Sequence, residues 1–163
     1  MVQCYVSVGS NIDKATNINA GLCSLRDAFG ELNVSPIYET AAIGFDGDDF
    51  YNLVVGFESN LPAFDVAQQL RELEFFHGRF PNSQKFSPRS LDLDLLLYGD
   101  AIINDENLKL PRVDIENYIF VLQPLADLAP NLNHPIQQKT YRKMLELLLE
   151  KSPEQTIRLL NLT

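Results

Sequence analysis

Apolar positions along the chain switch repeatedly between a period of two and a period near 3.6. Cys4 to Val8 reads as a short apolar strand, broken by Gly9-Ser10-Asn11, where Ser10 or Asn11 is placed to cap a following helix. Ile18, Leu22, Leu25 and Phe29 recur at helical spacing, which predicts an amphipathic helix over 12–29 closed by Gly30. Residues 32–38 predict a strand, with an edge position or a bend at Pro36. Residues 50–58 predict another, with Tyr51, Leu53, Val55 and Phe57 on one face and Asn52, Val54 and Gly56 on the other. Pro62 opens a second helix whose stripe, Ala63, Val66, Ala67, Leu70, Leu73 and His77, runs to about His77. A strand over 91–97 places Leu91, Leu93, Leu95 and Leu97 on one face.

After the turn Tyr98-Gly99-Asp100 the signals weaken. A small hairpin is expected over 101–111, a helical turn over 113–117 and an extended piece over 120–122. Pro124, Pro130 and Pro135 are expected to keep the region up to 139 irregular or in short helices. Thr140 is placed to cap a last helix with Tyr141, Met144, Leu145 and Leu148 inward, and residues 152–163 are expected to add a short strand. The order strand, helix, strand, strand, helix, strand predicts an α+β fold: a ferredoxin-like (split βαβ) antiparallel sheet with helices packed on it, in one domain over 1–163. Two long loops, 39–49 and 78–90, are expected to be mobile and to lie near one end of that sheet.

Composition narrows the function. Hydrophobic residues make up 45% and charged residues 21%, as in an ordinary globular protein. A formal charge of −9, from 13 basic and 22 acidic residues, argues against nucleic acid and against an anionic membrane surface. No apolar run approaches the ~18 residues of a membrane-spanning helix, and no signal peptide is read at the N-terminus. Cys4 and Cys23 are expected to be buried free thiols of a cytoplasmic protein. His77 and His134 stand isolated and read as structural, and no Ser-His-Asp set, Walker loop or dinucleotide fingerprint is present.

The chemistry concentrates in residues 89–99. Asp92 and Asp94 share the strand face opposite the leucines, and two neighbouring carboxylates repel unless a cation accompanies them. Hard oxygen donors suit Mg²⁺, which takes one or two protein carboxylates and completes its shell with water and substrate phosphates. Arg79, Lys85 and Arg89, in or beside loop 78–90, are phosphate partners, and that loop's aromatics can stack on a base. A solvated acidic face is the bland alternative for the pair. Asn52 reads as either a ligand contact or a surface amide, and Glu74, at the margin of its helix stripe, reads as a surface residue.

Taken in order, Val8-Gly9-Ser10-Asn11, Tyr38-Glu39-Thr40, Phe50-Tyr51-Asn52, Glu74, Gly78-Arg79, Pro88-Arg89-Ser90-Leu91-Asp92-Leu93-Asp94, Leu110-Pro111, Phe120 and Pro124-Leu125 resemble the 6-hydroxymethyl-7,8-dihydropterin pyrophosphokinase family. The resemblance covers most of the chain, and the Pro-Arg-Ser-Leu-Asp-Leu-Asp run is its most specific part. It implies transfer of pyrophosphate from ATP to the hydroxymethyl group of the pterin, giving AMP, in folate biosynthesis. It implies two Mg²⁺ ions on Asp92 and Asp94, with Arg79 and Arg89 also catalytic. It implies a pterin site from Thr40, Ala41, Ala42, Ile43, Phe50, Asn52, Asp92 and Phe120, and an ATP site from Glu74, Lys85, Phe86, Arg89, Leu95, Lys109 and Arg112. A cytoplasmic monomer acting on small molecules, with no nucleic-acid or membrane partner, is expected.

The departures from the family pattern fall on the ATP side. Pro81 stands in place of a basic residue, Lys85-Phe86-Ser87 in place of Arg-Trp-Gly, Arg112-Val113 in place of His-Tyr, and Tyr118 in place of Arg. Ala41-Ala42 replaces two prolines, and Phe50 lacks the hydroxyl of a family Tyr. The alternative reading is therefore a catalytically weakened or inactive paralogue that binds pterin or nucleotide. The retained Asp92/Asp94 pair favours the enzyme.

Overall fold

A computed structural model describes residues 1–41, 49–78 and 90–160. The elements follow in the order β1 (Val2–Ser10), α1 (Lys14–Phe29), β2 (Asn33–Val34), β3 (Tyr38–Thr40), β4 (Phe50–Ser59), α2 (Ala63–Phe76), β5 (Asp92–Tyr98), β6 (Ile103–Asn104), β7 (Lys109–Leu110), α3 (Asp114–Asn117), α4 (Ile119–Leu128), α5 (Tyr141–Lys151) and β8 (Arg158–Leu159). The main sheet is antiparallel in the order β5-β1-β4-β3-β8, with β2 also on β4, while β6 and β7 form a separate hairpin. This is the split βαβ arrangement that the element order predicts. Pro36 interrupts the expected 32–38 strand, leaving β2 and β3 as two short pieces on the same neighbour.

Both faces of the sheet are covered. Cys4, Val6 and Val8 of β1, Leu53, Val55 and Phe57 of β4, and Leu91, Leu93 and Leu95 pack with Ile18, Leu22 and Leu25 of α1 and Val66, Ala67 and Leu70 of α2. On the other face Val54, Leu96 and Leu97 pack with Ile119, Leu122 and Leu125 of α4 and Tyr141, Met144 and Leu148 of α5. Two buried faces explain why β4 and β5 carry near-continuous apolar runs.

Four features differ from the sequence reading. The β1–β5 register shifts between Tyr5, opposite Leu97, and Val6, opposite Leu95. Leu96 is therefore an extra residue, and this bulge turns Leu97 to the α4/α5 face, away from Leu91, Leu93 and Leu95. Residues 120–122 are helical, not extended. Pro124 lies inside α4 and removes one backbone donor, but Ile119, Val121, Leu122, Leu125 and Ala126 are all buried, and that burial outweighs the lost bond. Neither Ser10 nor Asn11 caps α1: Asp13 occupies the cap position with φ 42° and makes no side-chain cap bond. Cys4 is buried as expected, but Cys23 is exposed. By contrast, Thr140 caps α5 by accepting from the Lys143 amide at 3.2 Å.

The two histidines have structural partners, His134 in its own turn and His77 across to α1. The amides of Ile136 and Gln137 donate to His134 Nδ1 at 3.1 and 3.0 Å, so the ring is neutral with its proton on Nε2. His77 ends α2, with Nε2 3.0 Å from Ser24 Oγ of α1. Burial lowers the pKa of both rings from the ordinary 6.5, with Glu116 partly opposing this at His134. The unfolded chain thus binds these protons more readily, so stability is full above 6.5 and declines as pH falls through it. Denaturant midpoints should drop between pH 7 and pH 5; a midpoint that holds or rises over that window contradicts this role for the two rings.

Candidate active site

Strand pairing brings residues far apart in sequence into one row. Asp92 pairs with Gly9, Gly9 with Asn52, and Asn52 with Tyr38. Directly opposed residues share a face, and alternation from Leu91, Leu93 and Leu95 places this row on the α4 side of the sheet. Asp94 lies in the next row on the same face, opposite Ser7. Thr40 opposes Phe50 at the same end of the sheet. A Cβ built on Gly78 would lie 3.6 Å from Ser90 Oγ, so the chain leaves for 79–89 and returns at one spot beside Asp92.

Asn52 and Asp92 sit two strands apart, about 10 Å at ordinary strand spacing. Between them Gly9 presents no side chain. A Cβ there would stand 3.0 Å from Asn52 Oδ1 and 3.9 Å from the Phe50 ring, so glycine keeps the slot open and the amide in place. Asn52 is 9% exposed, and its Nδ2 has no hydrogen-bond acceptor among the described residues. A buried amide donor left unpaired costs ~1–3 kcal/mol, which a ligand carbonyl or ring nitrogen would recover. Asn52 is thus a buried amide with an open donor, not a surface amide.

Above the slot, α4 packs on β4. Phe120 in its first turn stacks on Tyr118, with ring centroids 5.0 Å apart and planes at 29°. Sequence reasoning had no signal for the clamp that holds this helix. Tyr38, in the Asn52 row, donates a short hydrogen bond to Asp127 of α4, and Gln123 donates to the same carboxylate at 3.1 Å. Burial and then Asp127 push the Tyr38 phenol well above its usual range, so it remains the donor.

The acidic pair has a basic neighbour. Arg112 Nε donates to Asp114 Oδ2 at 3.1 Å, and its Nη2 lies 3.6 Å from Asp94 Oδ1. The Arg112 amide donates to Leu96 O at 3.0 Å, which fixes the residue beside β5. Burial works against its charge, but Asp94 and Asp114 more than offset that and raise its pKa. Nothing in the sequence marks Asp114 except its spacing two residues after Arg112. Among the described residues no group of three or more His, Cys, Asp or Glu gathers as a complete metal site. Two partly exposed carboxylates on one strand face fit a hard divalent ion whose remaining ligands come from water and substrate, while Arg112 is the positive charge beside Asp94 in the protein alone.

The other expected site residues divide. Lys109 is exposed on β7 and Ala41 is exposed after β3. Glu74 is 3% exposed, which corrects its reading as a surface residue. Leu95 packs in the α1/α2 core, so its side chain does not join the carboxylates. Ala42, Ile43, Arg79, Lys85, Phe86 and Arg89 lie outside the described residues, as do most of loops 39–49 and 78–90.

Residues 5–130 match the family described as 7,8-dihydro-6-hydroxymethylpterin-pyrophosphokinase (HPPK). The chain belongs to this family. It is 37% identical to the 2-amino-4-hydroxy-6-hydroxymethyldihydropteridine pyrophosphokinase of Pseudomonas aeruginosa, over 80% of this chain and 83% of that protein. Its identity to the protein of the same name from Aquifex aeolicus is 32%, over 97% and 95%. It is also 36% identical to the folic acid synthesis protein fol1 of Schizosaccharomyces pombe over 95% of this chain, which spans only 21% of that protein. Among solved structures, a Plasmodium falciparum HPPK-DHPS aligns with TM-score 0.72 and 15% identity, over 95% of this chain and 45% of that one. That likeness establishes a shared fold.

For this HPPK-family chain the slot makes a sharp demand on Gly9. Gly9→Ala should displace the Asn52 amide and weaken binding of a pterin by roughly 1–3 kcal/mol in calorimetry. Unchanged pterin affinity in a folded Gly9→Ala protein would show that the amide is not set by this glycine.

Proposed function

We propose that this chain catalyses ATP-dependent pyrophosphate transfer to 6-hydroxymethyl-7,8-dihydropterin in folate biosynthesis. The observation that carries the reading is the row Asp92–Gly9–Asn52. It sets an unpaired buried amide and a pair of carboxylates on either side of a bare glycine floor. The pterin's amide-like edge would pair with Asn52, its ring would lie against Phe120, and its hydroxymethyl group would point across Gly9 toward Asp92. Thr40, Ala41 and Phe50, with Ala42 and Ile43, would close the outer end of the slot.

The hydroxymethyl oxygen then bonds to the β-phosphorus of ATP and releases its proton to solvent, the bond from that phosphorus to the oxygen shared with the α-phosphate breaks, and AMP leaves. Asp92 and Asp94 would hold Mg²⁺, two ions in the full reading. When bound, the metal neutralises phosphate charge and favours in-line displacement. Arg112, Lys109, Lys85 and the loop cations Arg79 and Arg89 would orient the polyphosphate, with Glu74 and Phe86 on the nucleotide side. Holding the two substrates aligned is itself a large part of such catalysis. We further place the enzyme in the cytoplasm as a monomer; no helix among the described residues is long and apolar enough to cross a membrane.

Asp94→Ala removes one of the two carboxylates and should lower AMP release by roughly two orders of magnitude or more in an assay with pterin, ATP and Mg²⁺. A near-normal rate would remove the carboxylate from the reaction. Phe120→Ala should weaken pterin binding well beyond any loss in ATP binding, because it deletes a stacking face of about 0.5–1.5 kcal/mol plus its buried area. Equal losses for both ligands in calorimetry would place Phe120 elsewhere.

A further inference from the structure

Arg112 is held unequally at its two ends. Its Nε makes a hydrogen-bonded ion pair with Asp114 at 3.1 Å, while Nη2 stands 3.6 Å from Asp94 Oδ1, beyond hydrogen-bond reach. The backbone is fixed by the bond from its amide to Leu96 O. The guanidinium is therefore anchored on one side and movable on the other. Its movable end faces a carboxylate that the proposed reaction needs for a metal. A guanidinium and a divalent cation cannot both approach Asp94 closely without strong repulsion.

We propose that Arg112 is a resident counter-ion of the acidic pair, competing with divalent metal for Asp94 until a polyphosphate draws its free end away. It offsets the Asp92/Asp94 repulsion in the protein without ligands and keeps divalent ions weakly bound there. When a nucleotide arrives, the Nη2 end turns from Asp94 to the phosphate oxygens while Nε stays on Asp114. The same side chain then opposes metal binding in the bare protein and favours nucleotide binding in the loaded one. Removing it should shift the two affinities in opposite directions, which a merely structural residue would not do. The inference rests on the metal role of Asp92 and Asp94 proposed above.

Mn²⁺ titration of the full chain without nucleotide, followed by electron paramagnetic resonance, tests it. Arg112→Gln should bind Mn²⁺ at least about fivefold more tightly than the wild type, consistent with removal of one screened positive charge. Arg112→Lys, which keeps the charge, should stay within about twofold. The Michaelis constant for ATP should rise in Arg112→Gln while its metal affinity improves. If Arg112→Gln does not fold, the wild type still decides: Mg²⁺ without nucleotide should shift the Arg112 Nε–H resonance in a ¹⁵N spectrum. An unmoved resonance, or Mn²⁺ affinity in Arg112→Gln no better than wild type, overturns the counter-ion role. Asp94→Asn separates this failure from that of the underlying reading. Mn²⁺ binding that Asp94→Asn leaves intact removes the carboxylate metal site altogether, and the counter-ion role with it. Binding that Asp94→Asn abolishes, with no gain in Arg112→Gln, overturns the counter-ion role alone.

Discussion

Two carboxylates on one face of one strand are the constraint around which this molecule is arranged. Asp92 and Asp94 project from β5 on the α4 side of a sheet with a hydrophobic cluster on each face. Like charges this close need positive charge nearby, and the fold supplies it with Arg112, itself braced by Asp114. That arrangement also suits a second requirement. Phosphoryl transfer asks the protein for positioned positive charge more than for covalent chemistry, and the proposed metal role of the two acids would meet that demand.

The rest of the fold sets this pair across a glycine floor from the buried Asn52 amide. β1 lies between β5 and β4 and contributes glycine at the one row where a side chain would fill the slot. α4 is buried strongly enough to tolerate an internal proline, and the Tyr38–Asp127 bond ties it to the edge of the same row. The amide and the acids are thus separated by two strand spacings, with Gly9 between them. The row depends on antiparallel register: a slip of one residue in β1 would turn Gly9 to the other face and put a side chain into the slot.

Much of this was legible in the chain. Period-two alternation located β4 and the acid face of β5, helical stripes located α1, α2 and α5, and Thr140 marked the α5 cap. What was not legible has physical reasons. Leu95-Leu96-Leu97 is uniformly apolar, so alternation vanishes at the place where the bulge reverses the faces. Pro124 argues locally against a helix that is made by tertiary burial. Glu74 follows Leu70 by four and Ala67 by seven, a spacing that fits burial, but a carboxylate there reads as a surface group. The Asp92–Gly9–Asn52 row joins three strands separated by tens of residues, which no local periodicity encodes. The ordered motif set did identify the individual members of that row, and family membership agrees with it.

The most direct test is a crystal of the whole chain with Mn²⁺, a non-hydrolysable ATP analogue and a pterin, with the metal located by anomalous scattering. Anomalous peaks are expected within coordination distance of Asp92 and Asp94, with the Asn52 amide paired to the pterin and the Arg112 guanidinium turned toward phosphate. Metal found elsewhere, with Arg112 still against Asp94 and the slot over Gly9 empty, would contradict that arrangement.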